Sequence, residues 1–313
     1  MNLDSHTTAF VFPGQGSQVL GMGRDLAERY PVAKQTFEEG DSILRIRLTK
    51  IMWEGPDADL KDTLNTQPAL FIHSMAVFRT FSQINPDFKA AVMAGHSLGE
   101  LSALAAAGVF SFEAGLRLVR RRGELMKRAG EQAPGGMAAI LGLDIPTLEG
   151  VCSEANRAGE LVQVANDNCP GQVVISGAKS AIERALASAK AAGARRAVPL
   201  EVSIAAHSPL MASIQAEWDE AIREVPFSPL QATVIGNVEA NPLLDENAAR
   251  ADVSAQMQSR VRWTESVRFM SNMGNADFVE IGTGTVLGGL IKRIVEGGRF
   301  HPLGTPEDFD AIL

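Results

Sequence analysis

The sequence predicts an α/β protein in two parts, a large unit and a smaller βαββαβ unit inserted into it. Three observations predict it. Short apolar runs such as Thr8–Phe12 and Asp277–Ile281 alternate with longer helical patterns, as expected where helices pack on a sheet. One run, residues 90–94, passes through Gly95-His96-Ser97-Leu98-Gly99 into a helical stretch, which is the G-x-S-x-G pattern of a nucleophile elbow. Between residues 136 and 200 the order becomes strand-helix-strand-strand-helix-strand, that of a ferredoxin-like unit.

Length and composition bound the reading. At 313 residues the chain exceeds one typical domain, so a large domain with an insertion, or two domains, is expected. With 45% hydrophobic and 21% charged residues the composition is that of an ordinary globular protein. A net charge of −8 argues against general nucleic-acid binding. The first residues lack a basic start and an apolar run, so no signal peptide is expected. No stretch reaches the ~18 apolar residues of a membrane span. Cys152 and Cys169 are too few for a disulfide framework and lack metal-ligand spacing. A cytoplasmic protein with no metal site is expected.

Taken in order, Thr8–Phe12 is a strand running into Pro13-Gly14-Gln15-Gly16-Ser17-Gln18, a tight loop by its proline and glycines. The Lys-Ser/Thr of a Walker phosphate loop is absent from it. Residues 23–39 and much of 41–52 read as helix. Residues 67–81 form a long apolar helix with Pro68 near its first turn and His73 as a packing residue. Residues 90–94 are the strand before the elbow and 98–107 the helix after it. The turn crowds the backbone, so its serine needs glycine neighbours, and helix-start N–H groups then face a developing negative charge.

Ser111 is an N-cap for a helix to about residue 129. Its apolar stripe is Leu116, Leu118, Val119, Leu125 and Met126, and Arg122 fills the gap, so Arg122 projects to the buried side. Arg120 and Arg121 point to solvent. An inward arginine is costly unless it meets an anion, either a structural acid or a ligand. Strands at 137–141, 161–165, 172–176 and 195–200, with helices at 145–158 and 180–192, make the inserted unit. Gly135, Gly136, Gly193 and Pro199 bracket it. The expected division is 1–132 with 201–313, and 133–200. After it come a strand at 201–206 ending in His207, a helix at 210–224 and a strand at 232–237. Helices at 248–260 and 263–273, the strand Asp277–Ile281 and a helix at 286–295 complete the reading.

Five histidines are available: His6, His73, His96, His207 and His301. His6 and His301 lie near the ends, and His96 adjoins the serine on a turn that points neighbours apart. His207 is the best general base for Ser97, and the base following the nucleophile in the chain suits an elbow enzyme. No acid stands out as a third member, so a dyad and a triad both remain open, with a backbone carbonyl as an alternative support.

Several motifs together resemble the malonyl-CoA:acyl carrier protein transacylases. They are Phe12 to Gln18, Gly95 to Glu100, Arg122-Gly123, Pro170 to Gly177, Ser203 to His207, and Trp263-Thr264-Glu265-Ser266-Val267. The resemblance spans roughly residues 8–295. It implies an α/β-hydrolase-like large domain with a ferredoxin-like small one. It implies Ser97 as nucleophile, His207 as base, and the backbone N–H groups of Gln15 and Leu98 as oxyanion hole. Arg122 would clamp the free malonyl carboxylate in a bidentate pair, with Gln67, Asn166 and Gln172 lining the cleft. The implied reaction is ping-pong, from malonyl-CoA to Ser97 and then to the phosphopantetheine thiol of an acyl carrier protein. Beyond the coenzyme A thioester substrate no cofactor is expected, and neither nucleic acid nor membrane is an expected partner.

Two departures stand out. Many members have glutamine where this chain has Arg262, a position expected to support the histidine through its backbone carbonyl. Ile204-Ala205-Ala206-His207 matches neither the malonyl- nor the methylmalonyl-selecting signature of polyketide acyltransferases. Malonyl transfer in fatty-acid synthesis leads, a free-standing polyketide acyltransferase shares its chemistry, and a serine acyl hydrolase would use the same serine and histidine. Arg122 weighs against the hydrolase. The reactive residues weigh against a mere carrier-binding module. For an acidic carrier, the densest basic cluster is Arg117, Arg120, Arg121, Lys127 and Arg128, with Lys292 and Arg293 as another.

Overall fold

The computed structural model describes residues 3–200, 202 and 204–312. Among them nine strands form: β1 (Thr8–Phe12), β2 (Val92–Gly95), β3 (Gly135–Leu141), β4 (Val162–Cys169), β5 (Gln172–Ala178), β6 (Arg196–Pro199), β7 (Val234–Ile235), β8 (Asp277–Ile281) and β9 (Arg299–Leu303). They make two sheets. The larger has order β7-β2-β1-β8-β9 and is parallel throughout. The smaller has order β4-β5-β3-β6 and is antiparallel. That is the ferredoxin-like order, with helices Ile145–Ala155 and Lys179–Ala191 between its strands.

Side-chain alternation divides the core of the large sheet. Phe10, Phe12 and Met93 join the main cluster on one face, with Leu101, Leu104, Phe71 and Trp218. Ala9, Val11, Val92 and Ala94 face the other way, against Trp263, Val267 and Met270. Both faces are covered, so every residue of β1, β2, β7 and β8 is buried, as a parallel sheet requires. The small sheet has its own core, including Ile140, Leu148, Val164, Ile175 and Ile182. Register shifts in β4 at Val164/Asn166 and Asp167/Cys169 fall in the stretch carrying Asn166 and Asn168.

Several elements differ from the expectation. The helix expected over 23–39 is two, Arg24–Arg29 and Pro31–Leu44. The break is Tyr30 (φ −117°, ψ 115°), held extended because Pro31 follows it. The helix expected from residue 67 starts earlier, as Thr63–Ile84, with the Asp62 carboxylate accepting from Leu64 N–H at 3.0 Å. Pro68 is therefore inside it. Having no N–H, Pro68 leaves the Leu64 carbonyl unused, and that oxygen accepts from Arg120 Nη1 at 3.0 Å. Of the strand expected at 201–206, Glu201 and Ser203 lie outside the described residues, and Val202, Ile204 and Ala205 have no regular structure. The strand expected at 232–237 contracts to Val234–Ile235. Strand β9 and the helix Pro306–Ile312 go beyond the sequence reading. Among the described residues no helix is long and apolar enough to cross a membrane.

Candidate active site

The elbow is built by crowding. β2 ends at Gly95, Ser97 follows at φ 53° and ψ −108°, and the helix Leu98–Ala106 starts at once. A Cβ on Gly95 would lie 1.9 Å from the Gly99 carbonyl carbon, and one on Gly99 would lie 2.0 Å from Phe12 O. Only glycine fits at either place. A serine at positive φ is strained and must be held. Asn237 holds it, its Oδ1 accepting from Ser97 N–H at 2.8 Å and its Nδ2 donating to Gly95 O at 2.7 Å.

Ser97 Oγ lies 2.8 Å from His207 Nε2. His207 Nδ1 lies 2.9 Å from the backbone oxygen of Gln256, which can only accept, so the ring proton is on Nδ1 and Nε2 is free to accept from the serine. The third member is thus a carbonyl at the C-terminal end of the helix Glu246–Gln256, where helix carbonyls lack helical partners. Gln163 Nε2 donates to His207 O at 2.8 Å, and His207 N–H donates to Met257 O at 3.0 Å. The imidazole is 3% exposed. Burial, and then the Arg122 charge, pull it down to about 3, so it is neutral at physiological pH.

Arg122 is 1% exposed on the helix Phe112–Gln132. Its Nη1 donates to Gln67 Oε1 at 2.9 Å and reaches Met126 Sδ at 3.3 Å. Its Nη2 donates to Gln256 Oε1 at 2.8 Å and to Ser97 Oγ at 3.2 Å. Among the described residues none of these partners is a carboxylate, and Nε has no hydrogen-bond partner. Burial lowers Arg122 to about 10, which leaves it cationic at neutral pH. A buried guanidinium held by neutral acceptors keeps its charge available to an anion.

Gln15, Ser97, Leu98, Arg122, Asn166, Gln172 and His207 line one cleft of ≈ 980 Å³. Leu98 opens its helix, so its N–H has no partner within the helix. Asn166 Oδ1 is buried and, among the described residues, without a hydrogen-bond partner. Gln172 Oε1 accepts from Arg293 Nη1 at 2.6 Å. Gln67 sits elsewhere: fully buried and outside the cleft lining, it braces Arg122 from behind. His96 is pinned by Asn168 Oδ1 at 2.8 Å and by the edge of Trp263. His301 pairs with Asp277 at 2.9 Å.

One further expectation is corrected. Arg262 does not support His207: its guanidinium pairs with Glu265 at 3.2 Å, and its carbonyl accepts from Ser266 N–H within the next helix. Gln256 takes that place. The basic cluster is largely ion-paired, Arg117 with Glu113, Arg120 with Glu124, Lys127 with Asp62, and both Arg121 and Arg128 with Glu217. Sequence reasoning missed Asn237 and Gln256. For Gln256 the usable signal was its position at a helix end, and Asn237 offered none beyond following a short strand.

A serine hydroxyl, a neutral imidazole and a guanidinium thus meet at one oxygen, an arrangement able to support acyl transfer. The profile of the acyl transferase domain family matches residues 9–297. The chain is 44% identical over 307 residues to the malonyl CoA-acyl carrier protein transacylase of Bacillus subtilis, covering 97% of this chain and 96% of that one. It is 42% identical to that of Escherichia coli K12, covering 97% and 98%. Among solved structures, an acyl carrier protein S-malonyltransferase from Vibrio cholerae superposes with a TM-score of 0.94 at 43% identity, over 97% of this chain and 99% of that one. A malonyl-transacylase in complex with a type II polyketide synthase acyl-carrier protein also gives 0.94, at 41% identity and 98% coverage of both.

Proposed function

The chain belongs to the acyl transferase domain family, and from that premise we propose that it carries a malonyl group from malonyl-CoA to the phosphopantetheine thiol of an acyl carrier protein. Ser97 Oγ attacks the thioester carbonyl while its proton passes to His207 Nε2. The carbonyl oxygen gains the negative charge and faces the N–H groups of Leu98 and Gln15. Collapse breaks the carbon–sulfur bond, and coenzyme A leaves with the proton returned by His207. The carrier thiol then gives its proton to His207 and attacks the malonyl ester, and Ser97 recovers its hydrogen.

The observation that carries this reading is Arg122, buried, with no carboxylate bonded to it among the described residues, and 3.2 Å from Ser97 Oγ. The acyl group's free carboxylate is the anion it is built to receive, with Gln67 and Gln256 fixing the guanidinium. Asn166 and Gln172 line the channel for the thioester arm. We assign the cleft walls to a catalytic unit of residues 1–132 and 201–313 and a small unit of 133–200.

Coenzyme A enters as substrate, and the steps above use only side chains and backbone N–H groups, so the reading includes no cofactor. It places the protein in the cytoplasm, in keeping with two free, buried thiols at Cys152 and Cys169. Lys292 and Arg293 are exposed at the end of the helix Val286–Ile294, have no acid partner among the described residues, and follow the cleft residues Val286, Leu287 and Leu290. They are the contact for an acidic carrier. Fatty-acid synthesis is the leading pathway. A polyketide carrier is the second reading, favoured by the similar transacylase solved with one. Intact-protein mass spectrometry with malonyl-, methylmalonyl- and acetyl-CoA, with and without each type of carrier, tests it. A wild-type protein that gains no malonyl group would sink the whole reading.

A further inference from the structure

Beneath the elbow two carboxyl groups are buried side by side. Glu100, on the helix that follows Ser97, is 0% exposed, and Asp252, on the helix Glu246–Gln256, is 9% exposed. They converge on one donor, Asn237 N–H, which lies 3.4 Å from Glu100 Oε1 and 3.1 Å from Asp252 Oδ2. Val238 N–H adds a bond to Asp252 Oδ1 at 3.3 Å, and the two side chains hydrogen-bond each other. Two carboxylates in contact away from water cannot both stay ionised. Burial and the neighbouring Asp252 charge raise Glu100 well above the usual carboxylate range. Glu100 therefore keeps the proton and donates it to Asp252, which leaves its other oxygen as an acceptor.

That oxygen, Glu100 Oε2, accepts from Gln256 Nε2. The same nitrogen donates to Ser97 O at 3.0 Å. A primary amide has one donor end and one acceptor end, and the surrounding network decides which way round it lies. With Nε2 held by two acceptors, Oε1 faces Arg122 Nη2 at 2.8 Å. Reversed, the amide would set its N–H groups against the guanidinium and its oxygen against two oxygens.

We propose that Glu100 is a positioning residue that fixes the orientation of the Gln256 amide and thereby holds Arg122 in the geometry that selects acyl groups bearing a free carboxylate. The inference rests on the malonyl-transfer reading and adds a residue to it that never touches substrate. It differs from a purely structural role in what it predicts. Loss of the acceptor should reduce discrimination between malonyl and acetyl donors, because His207 is held by the Gln256 backbone carbonyl, which does not depend on which way the side-chain amide points.

The test is the ratio of kcat/KM for malonyl-CoA to that for acetyl-CoA in acyl-enzyme formation, followed by intact mass. Glu100→Leu, which removes the acceptor, should lower the ratio about tenfold or more, mainly through the malonyl donor. Glu100→Asp, which withdraws the acceptor by one methylene, should lower it too and serves if the leucine variant fails to fold. Glu100→Gln should preserve the ratio, since its amide donates to Asp252 and its oxygen accepts from Gln256. Equal losses for both donors in a folded Glu100→Asp or Glu100→Leu variant overturn the inference. So does a folded Glu100→Gln variant that loses discrimination. A wild-type enzyme forming no malonyl adduct at Ser97 would overturn the underlying reading instead, so the two failures are distinct.

Discussion

Arg122 and Ser97 are in direct contact: the guanidinium Nη2 lies 3.2 Å from the serine oxygen, which His207 Nε2 holds at 2.8 Å. The serine hydroxyl thus sits between a neutral imidazole and a fixed cation. The cation lies on a helix that does not adjoin the elbow in sequence, and its inward projection is set by the apolar stripe around it. An acyl group bound to Ser97 would have any carboxylate of its own within reach of that cation. On the proposed function, position along the helix would thereby become a preference among acyl groups.

The covalent step follows from the elbow. Malonyl-CoA alone should add one malonyl group, recovered on the peptide containing Ser97, and Ser97→Ala should abolish it. Cys152 and Cys169 are buried and burial raises both thiols, so neither should compete. An adduct mapped to either cysteine would overturn the assignment.

Asn237 should matter nearly as much as a reacting group while touching no reacting atom. Its side chain ties Ser97 N–H to Gly95 O across the strained turn. Asn237→Leu leaves two buried backbone groups unpaired, at about 1–3 kcal/mol each, and releases the serine from positive φ. Acylation should fall by at least tenfold for malonyl and acetyl donors alike, with a lower melting temperature. A variant that lost only malonyl activity would contradict a role in shaping the elbow.

Much of this was legible in the sequence, and what was not has physical causes. Arg122 could be placed because a 3.6-residue stripe tells which way a helical side chain points. The elbow could be placed because two glycines flank a serine between a strand and a helix. The run at 201–206 misled because its apolar character serves the cleft: Ile204 and Ala206 line it instead of a sheet. Strand β9 escaped because it is an edge, paired only to β8, with Arg299 exposed and Pro302 tolerated there. Gln256 and Asn237 are brought to Ser97 from far along the chain, and Gln256 acts on His207 through its backbone. No residue type announces a backbone acceptor.

The pH dependence of acylation should not show an ordinary histidine. With His207 held at about 3 by burial and by Arg122, the base stays unprotonated through pH 6.5. The single-turnover rate of malonyl-enzyme formation should be flat from pH 7.5 to about 5. An acid limb centred near 6.5 would show that His207 is not so depressed.

Stability should show the matching sign. Burial lowers His73 to about 4, so below pH 6.5 the unfolded chain takes up a proton that the folded chain refuses. The stability is present in full above the unfolded value and is lost as pH falls toward 4, by roughly 1 kcal/mol per pH unit. Glu280, raised to about 7 by burial, acts in the opposite sense, so the contrast with a variant isolates the histidine. The denaturation free energy of wild type relative to His73→Leu should be constant above pH 6.5 and decline below it. Parallel curves down to pH 4.5 would refute the assignment.

Carrier docking should follow the unpaired cations. Arg121 and Arg128 are both committed to Glu217, whereas Lys292 has no acid partner among the described residues and lies beyond the cleft wall. Lys292→Glu should raise KM for an acidic carrier several-fold and leave acylation by malonyl-CoA unchanged. Arg121→Glu should change the carrier KM less, since that guanidinium is already engaged by Glu217 and Glu124. The reverse ranking would move the docking site to the helix Phe112–Gln132.

The sharpest expectation concerns Arg122 itself. Its two terminal nitrogens are held by Gln67 and Gln256, neutral groups that fix the guanidinium without discharging it. A charge-assisted hydrogen bond contributes about 1.5–3 kcal/mol, so losing the clamp should slow malonyl acylation by roughly tenfold to a hundredfold or more. Acetyl-CoA presents no carboxylate, and for it a buried cation offers no matching partner. Arg122→Ala should therefore spare acetyl transfer or raise it, turning the preference over while the protein remains folded. The quantity to measure is the malonyl-to-acetyl ratio of kcat/KM, with the melting temperature as control. If both donors fall by the same factor in a folded variant, Arg122 serves the architecture of the site and the carboxylate is held elsewhere. Arg262, paired with Glu265, could not replace it without breaking that pair.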